Sequence, residues 1–237
     1  MDASPSPAPP RIRRVRSFEE LTQTPLIDGL QALEWSRDVP PGDFARLAHL
    51  LAKTCGEGIT PLDFDELDTL SLSPPCRIAL ASLRVDFERL LTLGLHPELN
   101  LINGCYLDAT GGPLRTDVCS WHIDSATAPA DTWLCTYFGA VTEGLIHEDA
   151  LRRVDQPDLR ALLLHQFGGT EGSEFDAFLA EHCYDLHYQP RPGAQAVAFG
   201  IGQLWRVTTL CPGAASPPFV HRAPESPPGA PRLLLIA

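Results

Sequence analysis

The chain contains a single lysine, Lys53, among eighteen basic residues, against thirty acidic ones, for a formal net charge of −12. So acidic a surface disfavours a nucleic-acid backbone or an anionic membrane as partner, because both repel it. No apolar run approaches the roughly eighteen residues of a membrane span. The seven cysteines (Cys55, Cys76, Cys105, Cys119, Cys135, Cys183, Cys211) include no Cys-x-x-Cys pair, and several sit in apolar runs. That pattern predicts reduced, mostly buried thiols and a cytoplasmic location. Arg13-Arg14 precedes Ser-Phe-Glu-Glu-Leu rather than an apolar stretch, so it is not an export signal. There is no Gly-x-Ser-x-Gly elbow, and Gly200-x-Gly202 lacks the rest of a dinucleotide fingerprint. His182-Cys183 and His187 have no second cysteine pair, and a His-x4-His spacing suits neither a helix face nor a strand face, so they are read as structural.

What is present divides into three stretches. Residues 1–16 are rich in Pro, Ser and Ala and then basic, and they predict a mobile, solvated tail. Residues 17–97 read as a helical layer. Ser17 and Glu20 have capping-box spacing, Asp43–Cys55 carries Phe44, Leu47, Leu50 and Leu51 at helical intervals, and Ser73-Pro74-Pro75 opens a helix ended by Gly94. From about residue 98 the pattern changes to short apolar runs with turn signals. Strands are expected at Leu99–Leu107, Trp133–Phe138, Ala194–Ile201, Leu204–Thr208, Pro218–Arg222 and Arg232–Ile236. Helical stretches at 155–167 and 173–184, separated by Gly168-Gly169, predict an insertion or lid. The expectation is one domain over 17–237, mainly β with flanking helices, best fitted by a distorted double-stranded β-helix (jelly roll, cupin-like) with an N-terminal helical layer.

The chemistry centres on Cys119-Ser-Trp-His-Ile-Asp-Ser125. His122 and Asp124 are two residues apart, so on extended backbone they share a face and can reach one metal ion. A distant His, His221 in Phe219-Val-His-Arg-Ala223, supplies a third ligand, and the three form a facial triad with open positions. Arg232, at the start of the final apolar run, is a candidate carboxylate clamp, because a guanidinium can grip a carboxylate through two parallel bonds. Thr136 and Tyr137 each carry a hydroxyl suited to assist it. Neighbours on a strand point to opposite faces, so one of the two is expected to serve. Tyr106 is a weaker candidate for the same task. Arg222, beside His221, is expected to face away and to pair with Glu143 or Glu225.

These blocks resemble the Fe(II)/2-oxoglutarate-dependent oxygenases, whose pattern is His-x-Asp/Glu, a long gap, a distal His and a following Arg or Lys. They are also similar to a poorly characterised bacterial family with a predicted oxygenase-like barrel, over about Leu99 to Ala237. One departure is local: Ser125–Thr132 contains Ala and Pro where a continuous strand is expected, which implies a remodelled loop. The resemblance implies Fe(II) held by His122, Asp124 and His221, with 2-oxoglutarate and O2 as co-substrates. It further implies C–H activation of a small amino-acid-like metabolite in a bacterial natural-product pathway, by hydroxylation, desaturation or ring closure. Arg115, Arg206 and Arg222 are candidate partners for the substrate carboxylate. Two alternatives stay open: a zinc-dependent hydrolase on the same ligands, and a non-catalytic cupin-like binding module. The sequence carries no signal of oligomeric state.

Overall fold

In the segment Asp131–Phe138, Trp133, Cys135 and Tyr137 enter one apolar cluster while Leu134 enters another. A strand buried on both faces must lie between two layers, and the molecule is arranged around it. The computed structural model describes residues 10–40, 42–104, 112–115, 117–182 and 187–237. Its strands are β1 (Ile12–Val15), β2 (Ala32–Trp35), β3 (Gly58–Pro61), β4 (Glu98–Asn103), β5 (Asp131–Phe138), β6 (Glu143–Leu145), β7 (Ala150–Arg152), β8 (Tyr188–Pro190), β9 (Val197–Ala198), β10 (Leu204–Thr208), β11 (Val220–Arg222) and β12 (Arg232–Ile236). Its helices are α1 (Phe18–Gln23), α2 (Phe44–Cys55), α3 (Phe64–Asp68), α4 (Pro74–Thr92), α5 (Pro157–Phe167) and α6 (Ser173–His182). The result is a mixed α/β protein, mostly sheet. None of the described helices is long and apolar enough to cross a membrane.

Seven strands make one sheet in the order β1-β2-β10-β5-β12-β4-β3, antiparallel except for the β1–β2 pair. A smaller sheet runs β11-β6-β9, and β7 pairs with β8. From β4 onward the pairing is nested. β4 pairs with β12, the backbone at His122 bridges His221 in β11, β5 pairs with β10, and β6 pairs with β9. Taken in chain order, these eight segments pair first with last, then inward step by step.

The outer face of the large sheet is covered by α2 and α4. Leu47 and Leu51 of α2, and Leu80, Leu83 and Leu90 of α4, pack on Leu99, Leu101, Leu233 and Leu235. Both helices start as their sequences dictate. The Asp43 carboxylate accepts from the Arg46 amide at 2.8 Å, and Pro74-Pro75 occupy positions where a helix has no use for an N–H. The inner face carries Ile102, Leu134, Trp205, Val207 and Leu234, which meet Phe199 and Phe219. α5 and α6 build a separate small core from Leu159, Leu163, Phe175 and Leu179, joined by Leu114.

Several expectations are corrected here. Ile12–Val15 is an edge strand of the large sheet rather than part of a tail, because parallel pairing with β2 gives its backbone partners. The region 17–97 is not purely helical, since β2 and β3 join the same sheet. The strand expected over Ala194–Ile201 shrinks to β9. Leu99–Leu107 is strand only through Asn103, and residues 105–111 lie outside the described residues. Of the cysteines, Cys76, Cys119 and Cys135 are buried and Cys55 and Cys211 half-buried; Cys105 and Cys183 lie outside the described residues.

One charged group is sunk into the helix–sheet core. Asp86 of α4, 2 % exposed, receives two bonds from the Arg37 guanidinium, one from Arg89 at 3.0 Å and the Tyr137 hydroxyl at 2.5 Å. Removing only the carboxylate strands a half-buried cation and a buried hydroxyl. Asp86→Ala is therefore expected to cost about 3–5 kcal/mol of stability, read as a lowered urea midpoint. The double variant Asp86→Leu/Arg37→Met is expected to recover part of the loss.

Candidate metal centre

Alternation along two short segments aims three ligating side chains into the space between the sheets. Trp121 and Ile123 are buried on the outer side of the small sheet with Leu145, Ala150, Tyr188 and Val220. Their burial turns the intervening His122, and likewise His221 next to Val220, the other way. The two histidines are locked by a reciprocal backbone pair: the His122 amide donates to the His221 carbonyl at 2.9 Å and the His221 amide to that of His122 at 2.8 Å. Residues paired in this way stand directly opposite each other, and the ring centroids are 4.5 Å apart. Asp124 is fixed by its own carbonyl, which accepts from the Leu210 amide at 2.7 Å.

One ligand atom from each of His122, Asp124 and His221 lies within 4.8 Å of the other two, the separation at which one metal ion can be shared. Asp124 Oδ1 is 3.9 Å from His122 Nε2, and Oδ2 is 3.5 Å from His221 Nε2. His122 Nδ1 is 2.7 Å from the Ser120 carbonyl. A carbonyl only accepts, so the ring proton sits on Nδ1 and Nε2 presents its lone pair. Thr132 donates to Asp124 Oδ2 at 2.5 Å. The histidines are buried while the Asp124 side chain is 34 % exposed, so the centre opens on the Asp124 side.

The electrostatics favour a ligating state. Burial first, then the neighbouring His122, pushes His221 down to about 4, outweighing the opposite pull of Asp124 and the Phe219 backbone. At neutral pH its ring is therefore uncharged and able to coordinate. Burial pushes the Asp124 carboxyl up, but His221, the Thr132 hydroxyl and His122 together outweigh it, and the group stays below the usual carboxylate range.

Arg232 lies on the same side of the large sheet, 2 % exposed. Its guanidinium donates to Thr136 Oγ1 at 3.0 Å and Thr142 Oγ1 at 2.7 Å, while its Nε–H has no acceptor. Among the described residues no carboxylate pairs with it. Burial lowers its pKa to about 10, opposed by the nearby Cys119 thiol, so it remains a cation at neutral pH. The strand it faces is bulged: Leu234 opposes Thr136 and Leu233 opposes Phe138, leaving Tyr137 without a partner on β12. Gly139 then passes so close that a Cβ there would lie 2.9 Å from the Arg232 Cα.

The other candidates separate clearly. Thr136 reaches Arg232. Tyr137, expected as an alternative, is corrected: it points into the helix–sheet core and its hydroxyl is committed to Asp86. Arg222 faces outward, with its Nε 2.8 Å from Glu143 and its guanidinium over Trp121 at 4.7 Å. Arg206 is committed to Asp131 and to the carbonyls of Leu21, Thr22 and Thr24. Arg115 pairs with Asp117 and Glu225. Tyr106, Cys183 and the side chain of His182 lie outside the described residues. Thr132 and Thr142 went unnoticed in the sequence. Thr132 could have been found by counting two-residue steps from Thr136 along β5.

Comparison with protein-family models, curated proteins and solved structures finds no match. What the centre can do follows from its donors: two imidazoles and one carboxylate, a set that can hold a divalent transition metal and leave positions open.

The Thr132 bond orients the carboxylate, and outer hydrogen bonds of this kind are worth about 10–100-fold in metal affinity. Thr132→Val is expected to weaken divalent-metal binding by about tenfold, and Thr132→Ser to restore most of it. His122→Ala or His221→Ala is expected to abolish stoichiometric binding while circular dichroism stays native; competition titration against a chelator reads all four.

Proposed function

We propose that the protein is an Fe(II)- and 2-oxoglutarate-dependent oxygenase on a jelly-roll core, acting on a C–H bond of a small amino-acid-like metabolite. The nested first-with-last pairing from β4 to β12, split between two facing sheets, is the wrapping expected of a jelly roll and supports that part of the reading. The observation that carries the function is Arg232. A buried guanidinium that meets only hydroxyls among the described residues is costly unless an anion completes it, and this one lies on the same side of the large sheet as three metal donors.

The donor set fits iron: imidazole and carboxylate are its usual protein ligands, and three on one face leave room for a chelating co-substrate and O2. When bound, Fe(II) supplies the oxidising chemistry that couples O2 and 2-oxoglutarate decarboxylation to C–H cleavage. The chain's own residues do the rest. Ser120 fixes the His122 tautomer, Thr132 occupies one carboxylate oxygen of Asp124 and leaves the other for the metal, and Thr136 and Thr142 aim Arg232. Thr132 and Thr136 are four residues apart on β5, about 13 Å along a strand. A five-carbon dicarboxylate with a contact at each end covers a separation of that order. Trp121, Ile123 and Val220 seal the outer side, which keeps water from the ligands.

On the substrate side, Arg206 is spent on structure and Arg222 faces outward, which leaves Arg115 as a group that can exchange the exposed Glu225 carboxylate for a substrate's. A zinc hydrolase on the same ligands would give Arg232 no task. Anaerobic addition of Fe(II) and 2-oxoglutarate is expected to produce the visible charge-transfer band of a chelated 2-oxo acid, and its absence would sink the proposal. Arg232→Gln is expected to weaken 2-oxoglutarate about ten- to a hundredfold, from the loss of a charge-assisted pair, without loss of iron. Arg232→Lys should recover part of it, and Arg222→Gln should leave it unchanged. The reverse ranking would move the clamp to Arg222.

A further inference from the structure

Trp205 lies between the two ends of this site, and its indole N–H has no acceptor among the described residues. Its backbone pairs with Leu134, midway between Thr132, which holds Asp124, and Thr136, which holds Arg232. Its ring stacks on Phe199, with centroids 4.1 Å apart and 10° between planes. Phe199 leads back to the site by two routes. Its amide donates to the carbonyl of Thr142, whose hydroxyl accepts from Arg232. Its ring and that of Phe219 close over Gly144, where a Cβ would meet them at 2.8 and 2.3 Å, and Gly144 pairs with His221. The inward side of β5 and the Phe199 ring thus connect metal donors, anion clamp and indole on the face of the large sheet that looks toward the small one.

Trp205 is 1 % exposed, and its Nε1–H meets no acceptor. Indole nitrogen can only donate, and a buried donor left unpaired is costly. Arg232, equally buried, has the same deficit at Nε. Two unpaired donors on that face call for a ligand that brings acceptor atoms. Because the indole is neutral, it adds a hydrogen bond without adding a second buried charge, and the Phe199 stack fixes the plane in which its N–H lies.

We propose that Trp205 Nε1–H donates, together with Arg232, to the carboxylate of a 2-oxo dicarboxylic acid bound between the sheets. This rests on the oxygenase reading and adds a co-substrate contact and a selectivity element to it. A 2-oxo acid ending in a methyl group would leave both donors unpaired, and a site built to donate rejects such an analogue.

The test uses the full chain loaded anaerobically with Fe(II), titrated with 2-oxoglutarate and with 2-oxovalerate, which keeps the chelating end and lacks the distal carboxylate. Trp205→Phe preserves a ring on Phe199 and removes the N–H. The expected result is about tenfold weaker 2-oxoglutarate binding, the worth of one buried hydrogen bond, with iron affinity and 2-oxovalerate binding unchanged. A second measurement needs no variant to fold. In wild-type protein carrying ¹⁵N-indole tryptophan and Zn(II) in place of iron, the Trp205 Nε1–H resonance should move downfield when 2-oxoglutarate is added. Unchanged 2-oxoglutarate affinity in Trp205→Phe, or a resonance that stays in place while wild type binds, overturns the Trp205 assignment alone. Wild-type protein that binds no 2-oxoglutarate overturns both this and the oxygenase reading.

Discussion

The reciprocal backbone pair between His122 and His221 is the constraint on which the candidate site depends. Two hydrogen bonds fix the separation and the direction of both imidazoles before any ligand arrives. The side chains on either side, Trp121, Ile123 and Val220, are held in an apolar cluster, so neither segment can rotate without exposing them. A one-residue slip in this pairing would send every inward group outward. The geometry of the centre is thus guaranteed by packing on its far side.

Arg37 and Arg232 show how differently the structure treats equal charges. Arg37 is neutralised within the fold by Asp86, beneath the helical layer, where a closed ion pair is compatible with a structural core. Arg232, on the opposite face of the same sheet, meets two threonine hydroxyls. Hydroxyls orient a guanidinium without cancelling its charge. The large sheet therefore separates a face whose buried arginine has a carboxylate from one whose buried arginine has none among the described residues, and β5 presents residues to both: Tyr137 to the first, Thr132 and Thr136 to the second.

The parts of this arrangement legible in the sequence are those set by local periodicity. His122 and Asp124 stand out because a two-residue step on extended backbone defines a face, and α2 and α4 because their leucines recur at helical intervals. β1 and β2 were hidden because four-residue strands are defined by their partners: β1 pairs with β2, and β2 joins the sheet through β10, far along the chain. Which of Thr136 and Tyr137 would serve was not legible, because alternation fixes that they face opposite ways but not which face the helices cover. Trp205 and Thr142 gained meaning only through cross-sheet neighbours, and those depend on register.

Nested pairing also fixes when the centre comes into being. His122 is placed by β11, and the β4–β5 edge is closed by β12, so the donors near the middle of the chain wait for the segments that follow almost a hundred residues later. During synthesis, a chain emerging from the ribosome would carry His122 and Asp124 as an incomplete, exposed pair until β11 and β12 are in place. A metal ion that needs all three donors would find them together only at a stage when the surrounding layers can already enclose it. Long-range closure, which makes such folds slow to form, also keeps the three donors apart in the half-made protein.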